Sequence, residues 1–234
     1  MILKTGFHNH TKDDPKDPLS YSTFELIDEA KKNNYDILAI TCHAKFVYKK
    51  EHIDYAQQKN ILLVPGIEAE IEGKHVVVLG SNKDIEKVET FQDLNIYKNK
   101  NPNIFIIASH PFVPDRKQIS LGKKLIENIN LFDAIELSIF SNKIFNFNKK
   151  ASNIAQKYNK PLIATSDVHC LKDLKRGYAL VDAKEKTAEA VFDAIRQKKV
   201  ENKMNSMGVF AMIEIKVKFF LKKLLHFFPR GNRN

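Results

Sequence analysis

The sequence predicts an α/β protein whose β-strands close, or nearly close, into a barrel. Two observations lead to this fold class. Apolar, β-branched runs alternate with amphipathic helical runs, which is the pattern of a parallel sheet covered by helices. About seven or eight strand-like runs occur in 234 residues, which favours a barrel over an open sheet.

Each strand candidate is a short apolar run bounded by polar or turn-forming residues. The predicted strands cover 2–8, 37–41, 61–67, 75–79, 104–109, 134–137, 162–166 and 178–181. Because a short Glu72-Gly73 turn separates the third run from the fourth, those two are predicted to form a hairpin.

The helix candidates lie between these strands. Ser22 and Glu25 form a capping-box pattern at the start of a helix that reaches about Asn33. The other predicted helices cover 50–59, 118–130, 143–158 and 186–198. The asparagine-rich segment 95–103 is predicted to be a loop.

The composition is that of a globular protein with a basic surface. The formal net charge is +10, which favours anionic partners such as phosphoesters, nucleic acid or acidic lipid. Two cysteines cannot support a disulfide scaffold, and the N-terminus does not resemble a secretory signal. A cytoplasmic location is therefore expected.

Metal-ligand residue types recur at the ends of five strand candidates. The segments are His8-Asn9-His10, Cys42-His43, Glu68 followed by His75, Ser109-His110 and Asp167-Val168-His169. All except His75 lie at the C-terminal end of a predicted strand, where barrel active sites are built. Because strand side chains alternate, the i, i+2 pairs should each point one way and close on a common centre.

Imidazole and carboxylate ligands favour zinc, manganese or iron over calcium. One tetrahedral ion cannot use so many ligands, so two or three divalent ions bridged by Glu68 are expected. The predicted ligands that follow from the segments themselves are His8, His10, His43, Glu68, His75, His110, Asp167 and His169.

These segments resemble the polymerase-and-histidinol-phosphatase (PHP) superfamily of metal-dependent phosphoesterases. The matching motifs are His8-Asn9-His10-Thr11, the histidine at position 43, Gly66-Ile67-Glu68, Ser109-His110-Pro111 and Ser166-Asp167-Val168-His169. The resemblance spans Phe7 to about Val181. It implies a distorted (β/α)7-type barrel with a trinuclear metal site at the C-terminal ends of the strands.

The chain departs from the family pattern at two positions. The family aspartate five residues after the second histidine is Pro15 here, so Asp13 or Asp14 is its replacement, and Asp14 is assigned as the ligand. The aspartate that precedes the histidine of the second motif is Cys42 here. That thiol is expected to pack away from the site, although a zinc-bound thiolate remains the alternative.

Three further residues near the predicted barrel mouth were weighed. Arg116 and Arg176 follow ligand segments and are assigned to substrate phosphate, with a solvated arginine as the alternative for each. Glu136 ends a strand, where it either holds a ligand histidine or is a rim carboxylate.

The chain is divided into a barrel domain, 1–200, and a basic amphipathic tail, 201–234. Residues 209–228 combine lysines with many phenylalanines and leucines. Such a helix lies on an anionic membrane surface, or docks on the barrel or a second subunit. Peripheral membrane contact and self-association both stay open.

The predicted function is metal-dependent hydrolysis of a small phosphate ester or nucleotide through a metal-bridging hydroxide, with Asp167, His169 and Glu68 as catalytic residues. One alternative is a nuclease-like enzyme acting on nucleic-acid ends, which the positive charge permits. The other is a non-catalytic barrel targeted by its C-terminal helix.

Overall fold

The computed structural model describes residues 1–113, 118–141 and 146–205. Within these ranges nine strands form one sheet. The strands are β1 (Ile2–Gly6), β2 (Ile37–Ile40), β3 (Leu62–Ile71), β4 (Lys74–Leu79), β5 (Phe105–Ala108), β6 (Ala134–Leu137), β7 (Leu162–Ala164), β8 (Gly177–Asp182) and β9 (Val200–Met204). All eight predicted strands are present, and β9 extends the sheet past the predicted domain boundary at residue 200.

Six α-helices accompany the strands in the described ranges. They are α1 (Thr23–Lys32), α2 (Lys50–Gln58), α3 (Phe91–Lys100), α4 (Lys123–Glu127), α5 (Asn148–Lys157) and α6 (Ala188–Arg196). The capping box of Ser22 and Glu25 is confirmed at the start of α1. The predicted tail helix, 209–228, lies outside the described residues.

One loop prediction and one helix prediction need correction. Segment 95–103 is not a loop, because its first six residues continue α3, which begins with a second capping box formed by Thr90 and Asp93. Phe91, Leu94 and Tyr97 are its buried residues, and their spacing of three positions marks one helical face. The predicted helix 118–130 is short, since α4 ends at Glu127 and a 3₁₀ turn (Ile129–Leu131) follows.

The sheet has mixed strand directions. Its order is β7-β6-β5-β4-β3-β2-β1-β8-β9. Strands β1, β2 and β3 are parallel, as are β5, β6 and β7, whereas β4 is antiparallel to both neighbours and β8 is antiparallel to β1 and β9. The predicted hairpin of β3 and β4 is confirmed, and its turn residues Glu72 and Gly73 both have positive φ, at 49° and 72°.

The nine strands make a nearly closed barrel. The two ends of the sheet meet where Asn202 of β9 contacts β7: its side-chain amide donates to Leu162 O at 3.0 Å and its oxygen accepts from Ala164 N at 2.6 Å. A side chain thereby replaces the backbone ladder at this seam. The distorted α/β barrel is confirmed as the fold class, although it has nine strands rather than seven.

Gly177 allows the start of β8 to approach the end of β7. A Cβ atom at this position would lie 2.2 Å from the carbonyl oxygen of Thr165, which no side chain can tolerate. The Gly177 N–H donates to Ser166 Oγ at 2.8 Å. This contact fixes the segment that carries Asp167.

Among the described helices, none is both long and apolar enough to cross a lipid bilayer.

Candidate metal centre

Five segments converge at one end of the barrel. His8 and His10 follow β1, His43 follows β2, His110 follows β5, and Asp167 and His169 follow β7. Glu68 lies inside β3, beyond the part of that strand that pairs with β2. His75 is the second residue of β4, and because β4 is antiparallel to β3 its beginning lies at the same end of the barrel. His169 is partly exposed, and the other residues of this group are buried.

Backbone bridges join the segments to each other. Asn9 pairs with Val168 and His43 pairs with Glu68, both in parallel register. His10 N donates to Val168 O at 3.1 Å, so the two i, i+2 pairs lie side by side. The Asn9 amide points the opposite way and donates to Gly6 O and Ala39 O. Alternation along the strand therefore holds Asn9 in the barrel wall and turns its flanking histidines to the site.

Glu68 is the centre of the cluster. Five imidazoles lie around its carboxylate, and two of them contact one oxygen while three contact the other. The distances to Oε2 are 3.0 Å from His43 Nε2 and 3.4 Å from His10 Nε2, and those to Oε1 are 3.0 Å from His75 Nδ1, 3.1 Å from His110 Nε2 and 3.2 Å from His8 Nε2.

Outer carboxylates orient three of these histidines. Glu136 Oε1 lies 3.1 Å from His8 Nδ1, and Asp14 Oδ2 lies 2.8 Å from His10 Nδ1 and 2.9 Å from His43 Nδ1. A carboxylate accepts hydrogen bonds, so each Nδ1 is the protonated nitrogen and each Nε2 faces the centre. Asp14, which the sequence assigns as a metal ligand, thus contacts two histidines from their outer side.

Asp17 joins the site and was not among the predicted residues. Its Oδ2 lies 2.9 Å from His169 Nε2 and 3.7 Å from His43 Nδ1. The sequence signal for it was the acidic run around Pro15, but the prediction was confined to the two aspartates before the proline. Asp14 Oδ1 accepts from the backbone of Lys16 and Asp17, and this turn brings Asp17 to the rim.

The donor set fits divalent cations. Two buried inward-facing atoms, His8 Nε2 and His10 Nε2, have no hydrogen-bond partner in the described part of the chain. Such atoms are costly unless a ligand uses them. They lie 3.2–3.4 Å from neighbouring ligand-type atoms. Two ligand atoms held about 2.1 Å from one ion are separated by roughly 3.0–3.4 Å, so these spacings suit a shared ion.

The ligand-type atoms fall into overlapping groups. Three groups consist of predicted ligands, and a fourth group includes Asp17. The groups are His8, His10, Glu68 and Asp167; His43, Glu68 and His75; His10, His43 and His169; and Asp14, Asp17 and His43. Glu68 belongs to two of them, so one carboxylate can serve two ions. A buried histidine and carboxylate cluster of this kind indicates divalent metals.

Two residues of the cluster have left-handed backbone conformations. The φ angles are 26° for His110 and 45° for Asp167, and neither residue is a glycine. Such conformations cost on the order of 1–3 kcal/mol each, and they persist only where contacts with the surrounding structure hold the backbone in place. Both lie at the point where the chain leaves a strand and turns a ligand-type side chain inward.

The charges of the site are strongly coupled. Burial opposes the ionisation of Glu68, but the surrounding imidazoles, His8 foremost, hold the pKa of its carboxyl well below the ordinary range. Burial also opposes the charging of His43, yet hydrogen bonds to Asp14 and Glu68 raise the pKa of this imidazole to about 10. In the metal-free protein a proton on His43 thus takes the place of a cation.

The metal-free protein is expected to lose stability as the pH rises from about 6.5 towards 10. The folded-state pKa of His43 lies above its ordinary value, so the proton stabilises the fold fully below about 6.5 and is lost as the pH passes 10. Urea unfolding of chelator-treated protein at pH 7 and pH 9.5 should differ by about 3 kcal/mol. A His43→Gln variant should show a smaller difference. Equal differences in both proteins would contradict the assignment.

Three residues weighed in the sequence, Arg116, Arg176 and Cys42, have different outcomes. Arg116 lies outside the described residues. Arg176 Nε donates to Asp173 Oδ1 at 2.6 Å, so this guanidinium already has a carboxylate partner, and its phosphate contact stays a prediction. Cys42 is buried, and burial raises the pKa of its thiol to about 11, which favours packing over metal ligation.

Lysines line one side of the mouth. Lys45 Nζ donates to Asp13 O at 2.9 Å and Lys49 Nζ to Asp13 Oδ1 at 3.2 Å, while Lys16 pairs with Glu70. These side chains are exposed and belong to the loops that carry Asp14, Asp17 and His43. Two of them, Lys16 and Lys49, are paired with the carboxylates of Glu70 and Asp13.

Solved structures share this fold. A two-domain protein from Bacteroides vulgatus that contains a predicted PHP-like metal-dependent phosphoesterase is 18% identical, with a TM-score of 0.68 over 88% of this chain. PsfC from Pseudomonas syringae is 13% identical, with a TM-score of 0.61, and the match covers 95% of this chain and 99% of PsfC. The chain spans 65% of the Bacteroides protein.

A lesion-specific nuclease has the same fold. Endonuclease Q from Pyrococcus furiosus is 16% identical, with a TM-score of 0.61 over 87% of this chain, which spans 57% of that enzyme. Endonuclease Q is also known in complex with a 27-mer duplex that has an abasic lesion at the active site. No curated protein matches the chain in sequence.

One family model matches part of the chain. Residues 145–200 match the family described as PHP-associated, and this range includes Asp167 and His169. The match covers the last ligand-type segment and none of the other four. The family match is limited to this range, and over most of the chain the likeness to the PHP-like Bacteroides protein is one of fold.

Proposed function

We propose that the protein is a metal-dependent phosphoesterase that hydrolyses a small phosphate ester or a nucleotide. The observation that carries the proposal is the set of five imidazoles around the buried carboxylate of Glu68. A site of this composition holds several divalent ions and is costly to keep without them. The fold of the PHP-like neighbours supports the same chemistry.

The proposed ligands are His8, His10, His43, Glu68, His75, His110, Asp167 and His169, for two or three ions of zinc, manganese or iron. Asp17 is added to this set, because its Oδ2 faces His169 Nε2 while His169 Nδ1 contacts the carbonyl of Asp167. His169 Nδ1 faces a carbonyl oxygen, which can only accept, so Nδ1 is the donor nitrogen. Nε2 and the Asp17 carboxylate, 2.9 Å apart, are then two ligand-type groups that face one another.

Asp14 is the poorer choice of ligand. Its Oδ2 already faces His10 Nδ1, His43 Nδ1 and His43 N, and its Oδ1 accepts two backbone N–H groups. A carboxylate with this many partners has few lone pairs left for an ion. We therefore propose that Asp14 positions two histidines and that Asp17 replaces the aspartate missing at Pro15.

Divalent ions bound there would lower the pKa of a bound water and polarise the phosphoryl group. The residues of the chain hold the reacting groups in place. Glu68, Asp167 and His169 are the proposed catalytic residues, with Glu68 shared between two groups of ligand-type atoms and His169 at the partly open mouth. The rim lysines would attract the anionic substrate, and Arg116 and Arg176 are proposed to contact its phosphate.

The test is phosphate release from sugar phosphates, nucleotides and short oligonucleotides with manganese, and with a chelator as control. His8→Ala and Asp167→Ala each remove a proposed ligand, and each should lower metal-dependent release at least about 100-fold, because even outer partners of a ligand are worth 10–100-fold. Metal content is measured in the same samples. Unchanged release and metal content in both folded variants would sink the proposal.

A nuclease acting on nucleic-acid ends is the second candidate. The +10 charge permits it, and the fold is similar to that of endonuclease Q, a nuclease that acts on a duplex with a lesion. In the same panel, trimming of an end-labelled oligonucleotide without release from small esters would select this candidate.

The proposed location is the cytoplasm, and both Cys42 and Cys170 are free thiols.

A further inference from the structure

Glu136 is a buried carboxylate with three hydrogen-bond donors around it. It lies in β6 and its residue is 1% exposed. Its Oε1 accepts from His8 Nδ1 at 3.1 Å and from Thr165 Oγ1, and its Oε2 accepts from the backbone N–H of His110. The three donors come from the segments that follow β1, β7 and β5. One carboxylate thereby ties three strand ends together beneath the cluster.

The contact with His8 selects one form of this imidazole. An ionised carboxylate has no hydrogen to donate, so the proton of the His8–Glu136 hydrogen bond belongs to Nδ1. Nε2 is then the nitrogen that faces Glu68 and Asp167, at 3.2 Å and 3.4 Å. This Nε2 is buried and has no hydrogen-bond partner. Glu136 thus presents the lone pair of Nε2 to the place where an ion would bind.

The contact with His110 acts on the backbone. His110 has a φ of 26°, a conformation that residues with a Cβ rarely adopt. Its N–H donates to Glu136 Oε2 and its ring Nε2 lies 3.1 Å from Glu68 Oε1. The hydrogen bond stabilises the turn that points this ring at Glu68.

We propose that Glu136 is a positioning residue that orients His8 through its ring and His110 through its backbone. Glu136 itself would touch neither substrate nor ion. The inference rests on the proposed metal-dependent function. Glu136 is not one of the proposed ligands, but the metal affinity is expected to depend on it.

Glu136→Gln tests this with almost no change in size. If the amide NH₂ faces His8, Nδ1 must accept and the proton moves to Nε2, where it blocks the ion. If the NH₂ faces the other way, it meets the N–H of His110 as a second donor. Either orientation should weaken zinc binding about 10–100-fold.

Asp133→Asn is the matched control. Asp133 lies just before β6, at the opposite end of the barrel from the site, and its Oδ2 accepts from Ile106 N at 2.9 Å and Lys98 Nζ at 3.2 Å. It is a similar carboxylate-to-backbone contact without a histidine. Competition titration with a zinc indicator should give the wild-type affinity for Asp133→Asn and a weaker one for Glu136→Gln. Equal zinc affinity in all three proteins would overturn the inference.

A second measurement does not depend on the folding of Glu136→Gln. In zinc-loaded wild-type protein, ¹H–¹⁵N spectra of the histidine rings should show His8 protonated at Nδ1 and not at Nε2, with the resonance assigned by its loss in a His8→Asn variant. A proton at Nε2 of His8 would overturn the inference. If the wild-type protein still binds zinc in that case, the proposed function is not contradicted. A wild-type protein that binds no zinc or manganese would overturn both.

Discussion

Replacing Glu68 with glutamine is expected to lower the proposed metal-dependent phosphate release at least about 100-fold, since even partners of a ligand are worth 10–100-fold. Glutamine keeps the size but removes the charge that faces five imidazoles. Its NH₂ group would also donate to ring nitrogens whose lone pairs an ion needs. Because Glu68 belongs to two groups of ligand-type atoms, the number of ions per chain should fall as well.

Glu70→Gln is the control for this experiment. Glu70 lies two residues further along β3, is exposed, and pairs with Lys16 at the rim. The variant makes the same chemical change on the same strand. The Glu70 backbone pairs with His75, but its carboxylate pairs with Lys16 and not with the inward-facing atoms. Phosphate release and metal content by elemental analysis should stay near wild type in Glu70→Gln. A Glu68→Gln protein that keeps both its metal and its turnover would refute the central role of this carboxylate.

Removing the metal is expected to lower the melting temperature by about 10–20 °C. A ligand at 100 times its Kd stabilises the folded state by about 2.7 kcal/mol per site. Two such sites give about 5 kcal/mol, and in a chain of this size each kcal/mol shifts Tm by about 2–4 °C. The physical reason is that bound ions would satisfy buried ligand-type atoms, such as His8 Nε2 and His10 Nε2, that have no hydrogen-bond partner without them.

Calorimetry of chelator-treated protein, before and after zinc or manganese is restored, measures this shift. Glu70→Gln should show the full shift and Glu68→Gln a reduced one, so the effect can be traced to the cluster. The same Tm with chelator and with metal would mean that the cluster holds no ion in the folded protein. Buffer pH must be fixed, because the proton on His43 stabilises the metal-free state below about pH 10.

Local patterns in the sequence were sufficient for much of the fold. Alternation along strands fixed the directions of His8 and His10, and the capping box at Ser22 fixed the start of α1. The Glu72-Gly73 pair was sufficient for the hairpin, since both positions need positive φ. In each case the signal lies within a few residues, where backbone sterics and hydrogen bonding act directly.

Other features depend on contacts between distant segments. Segment 95–103 was misassigned because its asparagines suggested a loop, whereas the burial of Tyr97 in the core favours the helix. Neither the antiparallel direction of β8 nor the seam at Asn202 has a local signature. The direction of β8 and the seam at Asn202 depend on which strand edges remain unpaired when the barrel closes.

The site divides in the same way. Spacing within the sequence marked the histidines, Glu68 and Asp167 as ligand types, because imidazole and carboxylate chemistry does not depend on context. Which of them faces an ion and which holds a neighbour was decided by tertiary structure. Asp14 contacts His10 and His43 from outside, Asp17 reaches His169 across 152 positions, and Glu136 meets His8 across 128. Residue type sets what a side chain can bind, and only the folded chain determines which partners lie within hydrogen-bonding distance.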